Sequence, residues 1–529
     1  MSHQFSMIPK ADIQRSSFNR SHGYKTTLDA GYLVPFFVDE VVPGDTFNLR
    51  ATLFGRLATP VAPFMDNVFM ETFFFFVPNR LVWDNWNKFC GEQIDPGDST
   101  DFLIPVLADS TSHSVGSLGD YFGIPTGVSL DNVNVLPFRA YNLIYNEWFR
   151  DENLQNSLTV NRGDGPDSLS DYSLKRRGKR HDYFTSSLPF PQKSPGVELP
   201  LGTTAPVIVG SDYGFAGEYL SDTHKGWHAH GANNNNSQYL GADDSIVPFG
   251  STSTISGFNS TAPDGGHIWP LYADLSQATA ATINSLREAF ALQRFAEKQA
   301  RGGSRYTEII RSHFGVVSPD ARLQRPEYLG GSSSRLHINP VAQTSSTDVT
   351  TPQGNLSAFG VVGDSFHGFT KSFTEHGYII GLVNVRADLS YQQGLNRLWS
   401  RQTVYDFYWP SFAHLGEQEV YNREIYAQGT SDDAGIFGYQ ERYAEYRYYP
   451  SMITGKFRST YSAPLDMWHL AQNFSSLPTL NSTFIEDNPP IDRVVAVQNE
   501  PHFLLDVYFD LNCVRPMPVY SVPGLIDHF

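Results

Sequence analysis

The stretch Phe503-Leu504-Leu505-Asp506-Val507-Tyr508-Phe509-Asp510-Leu511-Asn512-Cys513 repeats with a period of two. Phe503, Leu505, Val507, Phe509, Leu511 and Cys513 fall on one side, while Asp506, Asp510 and Asn512 fall on the other. A strand turns successive side chains to opposite faces, so this pattern predicts a half-buried strand and not a helix. Near the other end of the chain, Thr46 to Leu53 alternates in the same way. Phe69 to Val77 (FMETFFFFV) is apolar on nearly both faces, as a central strand covered on both sides requires, and Pro78 ends it. Tyr378 to Val383 gives a further strand. Strands at both ends with long excursions between them suit one elaborated β-sandwich better than a string of small domains.

Composition agrees with a rigid, loop-rich β protein. Of 529 residues only 18% are charged and 14% are aromatic, while 43 Gly and 33 Pro punctuate the chain. That much apolar area offsets the chain entropy lost on folding, which excludes a disordered polypeptide. The net charge of −17 excludes a surface that grips phosphate over most of its area, so any contact with nucleic acid must be local or carried by another, basic protein. Two cysteines, Cys90 and Cys513, are too few for a disulfide framework and form no zinc pattern. The segment Met1-Ser2-His3-Gln4-Phe5 lacks the basic-then-apolar order of a signal peptide, and no apolar run approaches the roughly 20 residues of a membrane span. The expectation is a soluble protein without membrane insertion.

Four regions follow from the pattern. Residues 1–30 read as an extended basic arm, with Arg15, Arg20 and Lys25. Residues 31–204 hold the first strands with helical insertions, 205–268 form a Gly-, Ser- and Asn-rich surface insertion, and 269–529 carry the remaining strands and long loops. Three helices are expected: one from Asn79 as N-cap to a stop at Gly91, one after Pro137, and one over 278–301 that carries Ile283, Leu286, Ala289, Phe290 and Phe295 and halts at Gly302-Gly303.

No P-loop, dinucleotide fingerprint, G-x-S-x-G elbow or H-E-x-x-H helix is present, so no catalytic residue is assigned. Asp222, His224, His228 and His230 are metal-ligand candidates; an extended backbone would point His228 and His230 the same way. The pairs Asp243-Asp244 and Asp432-Asp433 are candidates for calcium or, if partnered from afar, for a glycosidase couple. Otherwise no cofactor is expected. The strongest basic cluster is Lys175-Arg176-Arg177-Gly178-Lys179-Arg180, followed by Tyr183 and Phe184. Such a loop serves phosphate binding or salt-bridging to a neighbouring subunit. A β-sandwich enzyme or lectin acting on polysaccharide is the competing class, resting on the aromatic content and scattered acids.

Longer blocks then carry a resemblance. GYLVPFFVDEVVPGDTFNLRATLFGRLATP (31–60), MDNVFMETFFFFVPNRLVWDNW (65–86), RAYNLIYNEWFRDENLQ (139–155) and ARGGSRYTEIIRSHFGVVSPDARLQRPEYLGG (300–331) resemble the major capsid proteins of gokushoviruses, as do 181–193, 394–430, 437–459 and 488–494. The match spans nearly the whole chain. It implies a mainly β fold, a single viral jelly roll (an eight-stranded antiparallel β-sandwich) with long loop insertions and several short helices. It further implies a homo-oligomeric T=1 icosahedral virion capsid around circular single-stranded DNA, assembled in the host bacterial cytoplasm. The implied partners are an internal scaffolding protein, a DNA pilot protein, a small basic DNA-binding protein and a bacterial surface receptor. A variable insertion at the threefold axes belongs to the same pattern. By position and composition, residues 205–268 fill that place, which makes Trp227, Asn234 and Tyr239 host-attachment candidates. The DNA-contact candidates are Arg15, Arg20, Lys25, Lys175, Arg176, Arg177, Lys179 and Arg180.

Overall fold

The structure is a computed structural model that describes residues 14–108, 111–197, 207–209, 227–229, 238–240, 271–273, 283–317, 324–349 and 352–520. The chain divides into two compact units, one of Met1–Pro195 with Phe295–Phe529, the other Gly196–Arg294. The second unit contains the whole 205–268 insertion and extends past it on both sides.

Ten strands of the first unit build two antiparallel sheets. They are β1 (Ser16–Asn19), β2 (His22–Leu28), β3 (Val34–Val41), β4 (Thr46–Leu57) and β5 (Val68–Pro78). After the long excursion come β6 (Glu327–Arg335), β7 (His337–Ala342), β8 (Leu356–Ser372), β9 (Gly377–Ala387) and β10 (Phe503–Arg515). One sheet has the order β1–β10–β4–β8–β7, with β2 also on β10; the other runs β6–β5–β9–β3. The registers Ser16↔Arg515 and Leu28↔Phe503 lay β1 and β2 end to end along β10, so together they form one edge. Counted so, the described residues hold the expected eight-stranded jelly-roll sandwich plus one further edge strand, β7.

The period-two pattern explains the core. The six inward residues of β10 are at most 3% exposed, and Phe47, Leu49, Ala51, Leu53 and Leu57 of β4 are buried with them. Phe36, Phe37, Phe74 and Phe509 meet between the sheets with ring centroids 5.0 to 6.2 Å apart. β5 is central, flanked by β6 and β9, and its two apolar faces serve two cores. Met70, Phe74 and Phe76 enter the sandwich. Phe75 and Val77 face outward and are covered by Trp83 and helix α1 (Leu136–Ile144), which begins with Pro137 in its first turn.

Two expectations need correction, and the 278–301 helix is seen from Ile283. The arm over 1–30 is, from Ser16 onward, edge strand: Tyr24 and Leu28 sit on the core and the backbone pairs with β10. The helix from Asn79 is two short pieces, a 3-10 turn at Asn79–Leu81 and a helical turn at Trp86–Phe89, and Asn79 caps neither. Its side chain is instead buried, because Trp83, Trp86 and Phe89 stack against one another and draw the segment onto the sheet. Helix α2 (Ile283–Arg301) buries Ala296 and Ala300, whereas Phe290 and Phe295 stay exposed.

His113 is 1% exposed beneath Phe138, and neither of its ring nitrogens has a hydrogen-bond partner. Gly119 makes the site possible, since a Cβ there would stand 2.1 Å from Nδ1. Burial lowers the imidazole pKa from 6.5, and His469 is lowered for the same leading reason. Both rings are neutral in folded and unfolded chains above pH 6.5. Below it the unfolded chain takes up protons first, so stability falls as pH drops. His113→Leu is expected to reduce the loss in melting temperature between pH 7.5 and pH 5.5. An unchanged difference would remove His113 from the acid response.

Candidate nucleic-acid interface

The basic loop was singled out for its charge, and its place in the fold is set by one acid. Glu71 stands on β5 within an otherwise apolar run and points to the outer face, between Phe69 and Phe73. The 175–180 segment lies across that face. Its backbone is pinned by Leu33 N to Lys175 O (2.9 Å), Arg177 N to Gly31 O (2.8 Å), Lys179 N to Ile485 O (2.7 Å) and Asp487 N to Arg177 O (2.7 Å). Arg177, Arg180 and Arg386 converge on the Glu71 carboxylate, the latter two at 3.1 and 3.0 Å. Arg180 also reaches Asp388 at 2.8 Å. The cations stack as well as pair: Arg176 on Tyr32 (4.1 Å), Arg177 on Phe73 (4.7 Å), Lys179 on Phe484 (4.4 Å) and Arg180 on Phe69 (4.3 Å). Planar guanidinium groups suit this double use, because they stack and donate in-plane at once.

The loop therefore binds its own chain, an outcome that neither sequence alternative anticipated. Four of its five cations are committed to a fold contact within the chain. Burial alone would raise the Glu71 pKa, but the charges and hydrogen bonds of Arg177 and Arg386 outweigh it and hold the carboxyl at about 2. Asp487 behaves oppositely: burial pushes it up to about 7 despite Lys179, Arg386, Arg177 and Arg176 around it. Burial likewise lowers Lys179. Arg177, Arg180 and Arg386 thus meet Glu71 and Asp388, while Arg176 donates to Ala30 O and Asp487 O, so four guanidinium groups gather at one place in an acidic chain.

Beside the loop opens a pocket of about 560 Å³ whose walls are aromatic and cationic. Phe73, Phe75, Trp148, Phe149 and Tyr328 line it with Arg177, Lys179, Arg180, His181 and Arg386, and no carboxylate is among the lining residues. Trp148 and Tyr328 are its exposed aromatics, 37% and 43% accessible, with ring centroids 6.0 Å apart. Arg325 stacks on Trp148 at 4.6 Å, and Trp148 Nε1 donates to Pro326 O at 2.9 Å. Glu71, Arg386, Arg325, Trp148 and Tyr328 were not among the sequence candidates. A lone acid inside FMETFFFFV was the available signal, since a buried carboxylate demands cations.

The other candidates lie elsewhere. Arg15 donates to Gly44 O (2.6 Å) and Thr46 Oγ1 (3.1 Å), Arg20 pairs with Asp39, and Lys25 pairs with Asp506 on β10. All three stand along the β1–β2 edge. Trp227 and His228 lie in a short strand, Trp227–Ala229, paired with Gln238–Leu240 in the register Leu240↔Trp227 and Tyr239↔His228. Asp222, His224, His230, Asn234 and the pair Asp243-Asp244 lie outside the described residues. Asp433 is engaged by its own loop, accepting from Gln428 N and Gly429 N at 2.8 Å each. Among the described residues no group of three or more His, Cys, Asp or Glu side chains is placed to share a metal ion. No helix among them is long and apolar enough to cross a membrane.

Comparison with known proteins is unambiguous at the level of family. Residues 6–525 match the model of the family described as capsid protein (F protein). The chain is 50% identical to capsid protein VP1 of Bdellovibrio phage phiMH2K over 533 residues, covering 100% of this chain and 98% of that one. It is 49% identical to capsid protein VP1 of Chlamydia phage 1, with 99% and 98% covered. Capsid protein VP1 of Spiroplasma virus 4 is 38% identical, with 99% and 97% covered.

Proposed function

This chain belongs to the capsid protein (F protein) family, is a structural shell protein and not an enzyme, and from that premise we propose that it closes a T=1 icosahedral shell around circular single-stranded DNA. The observation that carries the assembly reading is a band of aromatic side chains that the described residues leave exposed. Between Leu398 and Trp409 the backbone runs through short 3-10 turns, and Trp399, Tyr405, Phe407, Tyr408 and Trp409 are all exposed. Tyr446 and Tyr449 add to it, Tyr446 packing on Tyr408. Soluble monomers rarely leave so much contiguous aromatic surface open, whereas subunit interfaces are enriched in it. Replacing Trp399 and Tyr405 together by Ser is expected to abolish particles while leaving the circular dichroism spectrum of the free chain unchanged. Particles at normal yield would remove this band from the interface.

Closure of the shell adds many such contacts, each weak, into one stable object. The proposed helpers are an internal scaffolding protein during assembly in the host bacterial cytoplasm, a DNA pilot protein, and a small basic DNA-binding protein that supplies charge this acidic chain lacks. Residues 205–268, with Trp227, Asn234 and Tyr239, are proposed to form the threefold protrusion that meets a bacterial surface receptor. Negative-stain microscopy of material sedimented from cells that express the chain with its scaffolding partner tests the whole. Uniform particles whose threefold knobs vanish when 205–268 is shortened are expected; dispersed small oligomers would overturn it.

Contact with DNA is proposed through the cations least committed to the fold, Arg15, Lys25 and Lys175, with the arginines of the 175–180 loop adding field. Changing all five loop cations would take Arg177 and Arg180 from Glu71 and Arg180 from Asp388, so it would report on folding. Arg15→Gln, Lys25→Gln and Lys175→Gln together are expected to lower genome retention at unchanged shell yield. For every phosphate left without its cation, the salt dependence of single-strand binding should flatten by about 0.7 in the log–log slope. Unaltered retention and slope would exclude these three.

A further inference from the structure

We propose that the pocket between Trp148, Tyr328 and the 177–180 loop is a binding site for one unstacked nucleotide of a single strand, its base on the aromatic wall and its phosphate toward the arginines. The inference rests on the reading that the shell meets single-stranded DNA, and it names where and how a strand is held. Three observations carry it. The pocket, at about 560 Å³, falls within the range of several hundred cubic ångströms typical of small-ligand sites. Its lining is of the kind that single strands use, faces for stacking and cations for the backbone, and the nearest carboxylate, Glu71, stands behind the lining under Arg177, Arg180 and Arg386. Its aromatics are arranged for more than packing. Phe75, Trp148 and Tyr328 hold one another with centroids 5.5 to 6.0 Å apart, so the two exposed rings are braced from behind by a buried one.

The cations are braced as well. Arg177 is clamped between Phe73 and Phe149 at 4.7 and 5.6 Å while it pairs with Glu71. Arg386 is fixed by the same carboxylate. Side chains already ordered by the fold lose little further entropy when a ligand arrives. Arg325 stacks on Trp148 at 4.6 Å, which sets a further cation beside the aromatic wall. A hydrophobic peptide would fill the aromatic wall but make no use of the guanidinium donors that Glu71 and Asp388 leave over, and a bare anion would leave the rings unused. A nucleotide answers both.

The test uses the full-length chain and three probes: a short oligothymidine, the same oligonucleotide with one abasic position per strand, and inorganic phosphate. Tryptophan fluorescence is followed during titration, with Trp148→Leu as the control that identifies the reporting ring. Quenching by oligothymidine that Trp148→Leu removes, with an affinity at least about fivefold lower for Trp148→Leu and for Tyr328→Leu, is the expected result, since one stacked base contributes a factor of this order or more. Arg325→Gln should lower the affinity further without changing the quench at saturation. Equal affinity for the abasic strand, or phosphate competing as well as oligothymidine, would overturn the proposal in favour of anion binding alone. Pocket variants that bind DNA normally but fail to form particles would overturn it in favour of a protein segment from a second copy. If the Arg15, Lys25 and Lys175 variant loses genome while pocket variants bind as before, the pocket proposal fails and the DNA reading stands.

Discussion

Arg139→Ala is expected to destabilise the chain by about 3–5 kcal/mol, the cost of removing one partner from a buried ion pair. Arg139 was uninformative as a single residue of the sequence, yet in the fold it is the largest charged side chain of the second core. Its guanidinium and the Asp167 carboxylate are 0% and 1% exposed. Nε and Nη2 donate to the two carboxylate oxygens at 2.7 and 2.8 Å, and Nη1 donates to Val82 O and Gly163 O at 3.0 and 2.9 Å. Asn161 and Tyr172 complete the carboxylate at 2.6 and 2.5 Å. Burial alone would raise the Asp167 pKa, but these hydrogen bonds outweigh it and hold it low. Taking away the arginine leaves a charge in a dry core with only neutral donors. Arg139→Met combined with Asp167→Leu removes both charges and is expected to lose much less than the single change. Urea denaturation of the two variants decides between them. A double variant as unstable as Arg139→Ala would mean that the arginine acts through its backbone contacts to 82 and 163, not through the pair.

Which parts were legible in the sequence follows from range. Strands with one buried face write their fold into neighbouring residues, so β10 and β4 are readable from alternation alone, and β5 and β9, buried on both faces, from its lack. The helical stretch at 79–91 was misread because three aromatic rings, not a cap, decide its path, and ring packing has no short-range signature. The edge position of β1 and β2 depends on a partner 475 to 499 residues away. For the basic loop, charge density was visible but its destination was not. Six residues with five cations look like a phosphate loop unless one knows that Glu71, more than a hundred residues earlier, waits on the outer face of β5. The pocket beside it joins Trp148, Tyr328 and Arg386 from three separate regions, so no local motif announced it.

The same long-range pairing makes Glu71 the second position of large effect. Glu71→Gln keeps the size and one acceptor oxygen but leaves Arg177, Arg180 and Arg386 crowded around a neutral group. A loss of about 3–5 kcal/mol is expected at pH 7, as for other broken buried pairs. The pH dependence distinguishes charge from packing. Glu71 has its pKa lowered from 4.5 to about 2 in the folded chain, so its contribution is fully present above pH 4.5 and fades as pH falls toward 2. At about 1.4 kcal/mol per unit, that shift corresponds to roughly 3 kcal/mol. The stability gap between native chain and variant, read from urea midpoints, should therefore be widest near neutrality and narrow clearly at pH 3. A gap of equal size at pH 7 and pH 3 would show that Glu71 acts through its second acceptor oxygen and not through its charge. The arginines would then be held by their stacking on Phe69 and Phe73, and the wall of the nucleotide pocket would be rigid with or without its buried acid.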